Sequence, residues 1–168
     1  PETGLHVCSR NVDLAPDVEH KWNGDLYWKY AIDHNIEEIL KQLGSTIAIQ
    51  GELFGNGIQG NPYKLPDIYY RVFNFWDMTN HQYIDVATMW DTVDSFGLGK
   101  DFLVPYLGQI TLDHSVDDLL EMATGKSVLS DTLREGLVFR PEIESTDYKI
   151  GRLSFKAIST KYLLERGE

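Results

Sequence analysis

Apolar residues recur along the chain with two different periods, and the periods divide it into strands and helices. Ile47, Ile49 and then Leu53 alternate with other positions, as on a strand with one buried face. That strand delivers Glu52 to its far end, and the loop behind it carries Gly55, Gly57 and Gly60. Glycines at that density let the backbone turn sharply and approach a ligand closely. Residues 68–75 are β-branched and aromatic with little alternation, the pattern of a strand buried on both faces. Residues 81–84 can pair with it as a hairpin across the turn-like Met78-Thr79-Asn80. Residues 6–11 read as a short strand ending in a polar loop, and residues 136–139 and 152–158 as two closing strands.

Three stretches have helical spacing instead. In residues 35–43 Asn35 stands as a cap with Glu38 three residues later, and Ile36, Ile39, Leu40 and Leu43 form one stripe before Gly44. Asp85 caps a second helix built on Val86, Met89, Trp90 and Val93, which Gly97 ends. Ser115 caps a third, with Val116, Leu119 and Leu120 expected in the core and Gly125 just beyond its end. Residues 16–25 are a loop by composition, with Lys21-Trp22-Asn23-Gly24 as a turn. Strands interleaved with helices, joined by hairpins as well as crossovers, give an α+β class with a largely antiparallel sheet core.

Composition narrows the function classes. A length of 168 residues fits one domain with a real core, and 42% hydrophobic content with 12% aromatics excludes disorder. No apolar run is long enough to cross a membrane. The single Cys8 leaves no internal disulfide and no cysteine metal cluster; with no signal-peptide pattern, a cytoplasmic location is expected. A net charge of -11 argues against nonspecific binding of polyanions, so any nucleic-acid contact is local or is helped by a further segment. The chain opens at Pro1 without methionine, which reads as a truncated or processed piece.

Single residues, taken alone, have bland readings. Glu52 beside a glycine loop suits ligand hydroxyls or a metal, and equally an exposed hairpin turn. Arg10 reads as a surface arginine, Phe73 as core, Glu135 as an acid opening a strand and Lys156 as a solvent-face lysine. Trp76, Trp90 and Tyr69-Tyr70 would be packing or interface residues in a purely structural interaction domain.

Five stretches taken in order say more: Cys8-Ser9-Arg10-Asn11; residues 47–61; Tyr70-Arg71-Val72-Phe73-Asn74-Phe75; Arg134-Glu135-Gly136-Leu137-Val138; and residues 153–159. The series resembles the motifs of ATP-dependent RNA ligases of the nick-sealing type, covalent nucleotidyltransferases related to DNA ligases and mRNA capping enzymes. Each motif is short and weak alone, but the ordered set covers nearly the whole chain. The resemblance implies a single nucleotidyltransferase domain over residues 1–168, with the ATP-grasp-like fold of two sheets flanked by helices. It also implies ATP-dependent sealing of 3′-hydroxyl and 5′-phosphate RNA ends through lysyl-AMP and RNA-adenylate intermediates. ATP and Mg2+ would be the cofactors, nicked or broken RNA the partner, and a monomer the acting form. A DNA ligase, or a module that binds nucleotide or RNA ends without catalysis, shares the same pocket motifs.

Residue roles follow from the same resemblance. Glu52 would accept hydrogen bonds from the ribose hydroxyls, Phe73 would stack on adenine, and Arg10 would lie by the nucleotide sugar. Glu135 would stand near the catalytic magnesium, and Lys156 would contact the α-phosphate. Relatives carry a second lysine two residues on; here the slot is Ile158, and Lys161 is the nearest replacement. The family's nucleophile sits in a lysine-x-Asp-Gly motif before the stretch matching Ser9-Arg10-Asn11. Lys21-Trp22-Asn23-Gly24 follows that stretch and has Asn23 where the acid belongs, and no lysine precedes Cys8. The nucleophile is therefore expected upstream, in a longer parent.

Overall fold

The computed structural model describes residues 4–16, 24–44 and 46–167, and the reading of Lys21-Trp22-Asn23 lies outside them. Strands β1 (Ile47–Gly55), β2 (Ile68–Asp77) and β3 (Gln82–Tyr83) form one sheet in that order. β2 and β3 pair antiparallel with Trp76 opposite Tyr83 and Asp77 opposite Gln82. The turn between them closes because Asp77 Oδ1 accepts from the backbone N–H of Thr79 (2.8 Å) and of Asn80 (3.1 Å). β4 (Gly136–Phe139) pairs antiparallel with β7 (Phe155–Ile158), and β5 (Thr146–Asp147) with β6 (Gly151–Arg152). The helices are α1 (Gly24–Asp33), α2 (Ile36–Leu43), α3 (Val86–Ser95), α4 (Val116–Ala123) and α5 (Thr160–Arg166). Mixed helices and antiparallel sheets are the class expected. Among the described residues no helix is long and apolar enough to cross a membrane.

The chain groups into two compact units, one of residues 1–50 with 75–83 and one of residues 51–74 with 84–168. The first buries Leu14, Ala31, Ile36 and Phe75, and the Trp28 indole donates to the Leu14 carbonyl at 2.7 Å. The second buries Leu53, Phe54, Val72, Met89, Val93, Leu103, Ala123 and Ala157. There α4 packs on β4 and β7.

Five local expectations are corrected. Residues 6–11 form no strand: a single bridge joins Cys8 to Asp13, and a hydrogen bond between His6 Nδ1 and Asp13 Oδ2 (2.8 Å) ties the turn. Helix α1 lies partly where a loop was expected; its mixed aromatic and polar sequence carries only a weak amphipathic signal. Asn35 has φ 51, a left-handed geometry in which its side chain makes no cap, while Glu38 pairs with Lys41 instead. Val116 is 71% exposed, since α4 turns its last residue, Ala123, into the core rather than its first. The closing strand breaks at Leu153-Ser154, so Arg152 belongs to β6 and only residues 155–158 pair with β4.

Candidate functional site

Every component of the site described next belongs to the second unit. Glu52 is exposed on β1, just ahead of the buried Leu53, Phe54 and Gly55. At Gly55 φ is 117, and an added Cβ would stand 2.1 Å from the Asp67 carbonyl oxygen, so only glycine lets the loop close there. The loop is compact. Asn61 donates to the Leu65 carbonyl (2.8 Å) and accepts from the Leu65 N–H (3.0 Å), and Asn56 N–H reaches the Asp67 carbonyl (3.0 Å). This folding sets the Tyr63 ring edge-on to Phe54, centroids 5.9 Å apart.

Glu135 ends the approach to β4. The register of β4 on β7 sets Val138 opposite Lys156 and Gly136 opposite Ile158, while Ser159 N–H donates to the Glu135 carbonyl at 2.7 Å. The strands lie so close at Gly136 that a Cβ there would come 2.1 Å from the Ala157 carbonyl oxygen. Lys156 Nζ and Glu135 Oε1 form an ion pair, each side chain 43% exposed. Two residues separated by 21 positions in sequence thus meet where β4 pairs with β7 and the Ser159 N–H holds the Glu135 carbonyl.

The charges of this cluster act on one another. Loss of hydration, then the neighbouring Glu135 carboxylate, pushes the Glu52 carboxyl above its ordinary range, with Lys156 pulling the other way. Desolvation first, then Glu135 and Tyr162, raises the Tyr63 phenol. Two carboxylates, an ammonium and two phenols therefore share one small region. It can receive a ligand with hydroxyls, phosphates and a counter-cation. Among the described residues no group of three or more His, Cys, Asp or Glu could hold a metal ion on its own. Glu135 could supply one carboxylate oxygen to a divalent cation that keeps several waters and takes its other oxygens from a phosphate ligand.

The remaining expected residues are placed as follows. Phe73 is half-buried on β2, flanked by the buried Val72 and Asn74, and its carbonyl accepts from Arg140 Nη1. Adjacent strand residues face opposite ways, so Phe73 is not the core phenylalanine its composition favoured. Lys161 is exposed in the first turn of α5. Arg10 is exposed at a bend in the first unit. Tyr63 and Tyr162 were not anticipated; the available signal for Tyr63 was an aromatic set inside a glycine-rich loop.

The profile of the RNA ligase family matches residues 2–158. Naegleria gruberi RNA ligase with PPi is 31% identical and superimposes with a TM-score of 0.82, over 99% of this chain and 47% of that one. Two point mutants of that ligase are similar as well. One, with ATP and Mn, is 30% identical over 99% of this chain and 46% of that one, TM-score 0.82. The other, with AMP and Mn, is 31% identical over 98% and 46%, TM-score 0.81. The chain spans less than half the length of these solved ligases. No curated protein sequence matches it.

Proposed function

Because the chain belongs to the RNA ligase family, we propose that it supplies the nucleotide-binding and phosphoryl-transfer pocket of an ATP-dependent, nick-sealing RNA ligase. The fold would be the ATP-grasp-like nucleotidyltransferase fold, and residues 1–168 would work as one domain. The observation that carries the reading is the Glu135–Lys156 ion pair set beside Glu52. Before ligand arrives, each charge compensates the other, and neither is left unpaired in a partly desolvated place. An incoming phosphate gives Lys156 a new partner and leaves Glu135 facing outward. Mg2+ would be held by Glu135, directly or through water, and would neutralise charge on the non-bridging phosphate oxygens.

Glu52 accepts the ribose hydroxyls in this scheme. Phe73 stacks on adenine, a contact supplying about 1 kcal/mol or more beyond area burial. Lys156 holds a fixed positive charge where negative charge builds on the α-phosphate. Lys161 stands in for the lysine that Ile158 replaces. A lysine supplied from outside this chain would attack the α-phosphate of ATP and expel pyrophosphate, the AMP would then pass to a 5′-phosphate end, and a 3′-hydroxyl would displace the AMP to seal the strand. The chain would act as a monomer in the cytoplasm.

Saturating ATP is expected to raise the melting temperature, since a ligand that binds only the folded state stabilises it. In a longer protein carrying an upstream lysine-x-Asp-Gly segment, Glu135→Ala and Lys156→Ala should each cost about a hundredfold or more in sealing of nicked RNA while the fold persists. Lys161→Ala tests the replacement for Ile158. Sealing by Lys156→Ala at the parent rate would sink the pocket assignment, and nucleotide binding without sealing would leave a non-catalytic module. Intact-mass measurement after incubation with ATP and magnesium should show no AMP adduct on the 168-residue chain; an adduct on Lys21 would overturn the placement of the nucleophile.

A further inference from the structure

Three consecutive residues of β2, centred on Phe73, are gripped from later parts of the same unit. Val104 N–H donates to the Val72 carbonyl at 2.9 Å, Arg140 Nη1 to the Phe73 carbonyl, and Arg152 Nη1 to Asn74 Oδ1 at 3.0 Å. Arg152 is the junction. Its Nε donates to Glu144 Oε2 at 2.8 Å and its Nη2 to the other carboxylate oxygen, a bidentate fork. The backbone N–H of Glu144 in turn donates to Asp85 Oδ1 at 2.6 Å, which is why Asp85 makes no side-chain cap for α3.

The network is largely buried. The Arg152 and Glu144 side chains keep 21% and 11% of their exposure, and Asn74 keeps 5%. A buried ion pair is often no more stabilising than apolar residues of the same volume, so stability alone is a weak reason for one here. Its placement offers a better reason. Asn74 adjoins Phe73 in sequence, and Arg152 stands on β6 four residues ahead of Lys156. We infer that Arg152 is a positioning residue for the adenine contact: through Asn74 and Glu144 it fixes Phe73 relative to the strand carrying Lys156, so that one ATP meets both. This rests on the reading of Phe73 and Lys156 as nucleotide contacts. Lysine is a poor replacement for the arginine, because its ammonium lacks the planar fork that grips both Glu144 oxygens while another N–H reaches Asn74.

The test compares two probes, ATP and inorganic tripolyphosphate, by titration calorimetry against the 168-residue chain and its Arg152→Lys, Asn74→Ala and Phe73→Ala variants. Losing a base–aromatic stack costs a factor of about ten in affinity. Arg152→Lys and Asn74→Ala should weaken ATP by about that factor and leave tripolyphosphate unchanged. In a Phe73→Ala background, Arg152→Lys should cost ATP nothing further, the mark of two residues acting through one contact. Equal losses for both probes, no loss for either, or additive losses in the double variant would overturn the positioning role. A parent chain that binds ATP no better than tripolyphosphate would refute the nucleotide reading itself, and this inference with it.

Discussion

Gly136→Ala is the sharpest perturbation of the site that adds no charge and removes no contact. The new methyl group would be built 2.1 Å from the Ala157 carbonyl oxygen and 3.0 Å from the Ala157 carbonyl carbon and the Ile158 Cα. Both neighbours are backbone, so no flexible side chain can step aside. To reach the 3.0 Å that real Cβ atoms respect, β7 must retreat by about 0.9 Å. A ladder bond of ordinary length, stretched by that much, leaves hydrogen-bonding range. Overpacking of this kind costs roughly 1–3 kcal/mol, and a broken backbone bond adds about 1 kcal/mol. For a chain of this size a loss of about 2–4 kcal/mol lowers the melting temperature by roughly 5–15 °C. Thermal and urea unfolding, followed by the fluorescence of the four tryptophans, measures it. Because Gly136 adjoins Glu135 and faces Ile158 across the ladder, the variant should also lose most of the stabilisation that ATP gives. A variant that melts within about 1 °C of the parent would refute the β4–β7 register and the pairing of Glu135 with Lys156 built on it.

Two further outcomes are expected. The Glu52 carboxyl is raised in the folded state, first by desolvation and then by Glu135. Its contribution to stability is therefore complete below the unfolded carboxyl range and is lost as pH rises through the folded value. Glu52→Gln should thus raise the melting temperature at neutral pH, lose that gain in acid, and abolish the ATP-induced shift; a variant less stable at neutral pH would contradict the sign. Ser159 is fully buried, caps α5 by accepting from the Tyr162 N–H (3.3 Å) and donates to Thr124 Oγ1 (3.3 Å). Ser159→Ala should cost about 1 kcal/mol, a shift of roughly 2–4 °C measured by calorimetry.

Where the sequence was informative, a short-range rule was enough. β1 and β2 announced themselves by period and β-branching; β2 runs two residues past its expected end, and β1 continues through Glu52 to Gly55, a residue expected in the loop. The α4 cap was legible for the same reason: Ser115 accepts from Asp118 N–H at 3.2 Å, and Asp118 answers through the Ser115 N–H at 2.9 Å. Asn35 obeyed the same pattern and failed, because the helix before it hands over the chain in a left-handed turn no local rule detects. The site divides the same way. Glu52 stood out as a carboxylate beside a glycine loop. Its nearness to Glu135, Lys156 and Tyr63 is a property of register and loop closure between segments far apart in sequence. Period and propensity carry no information about such encounters. Arg152 was visible only as one residue of a strand; its partners include Asn74, Glu144 and, on the ladder to β5, Thr146.

The chain passes between its two compact units three times, after residues 50, 74 and 83. Neither unit is therefore one uninterrupted stretch of gene, and no single cut separates them. A piece starting at residue 84 keeps Glu135 and Lys156 but discards Glu52, Tyr63 and Phe73; a piece ending at residue 83 does the reverse. Cleavage at that point makes two pieces, neither of which carries all five of these side chains. Shuffling or truncation there parts Phe73 from Lys156, and only a chain that crosses all three junctions carries both side chains.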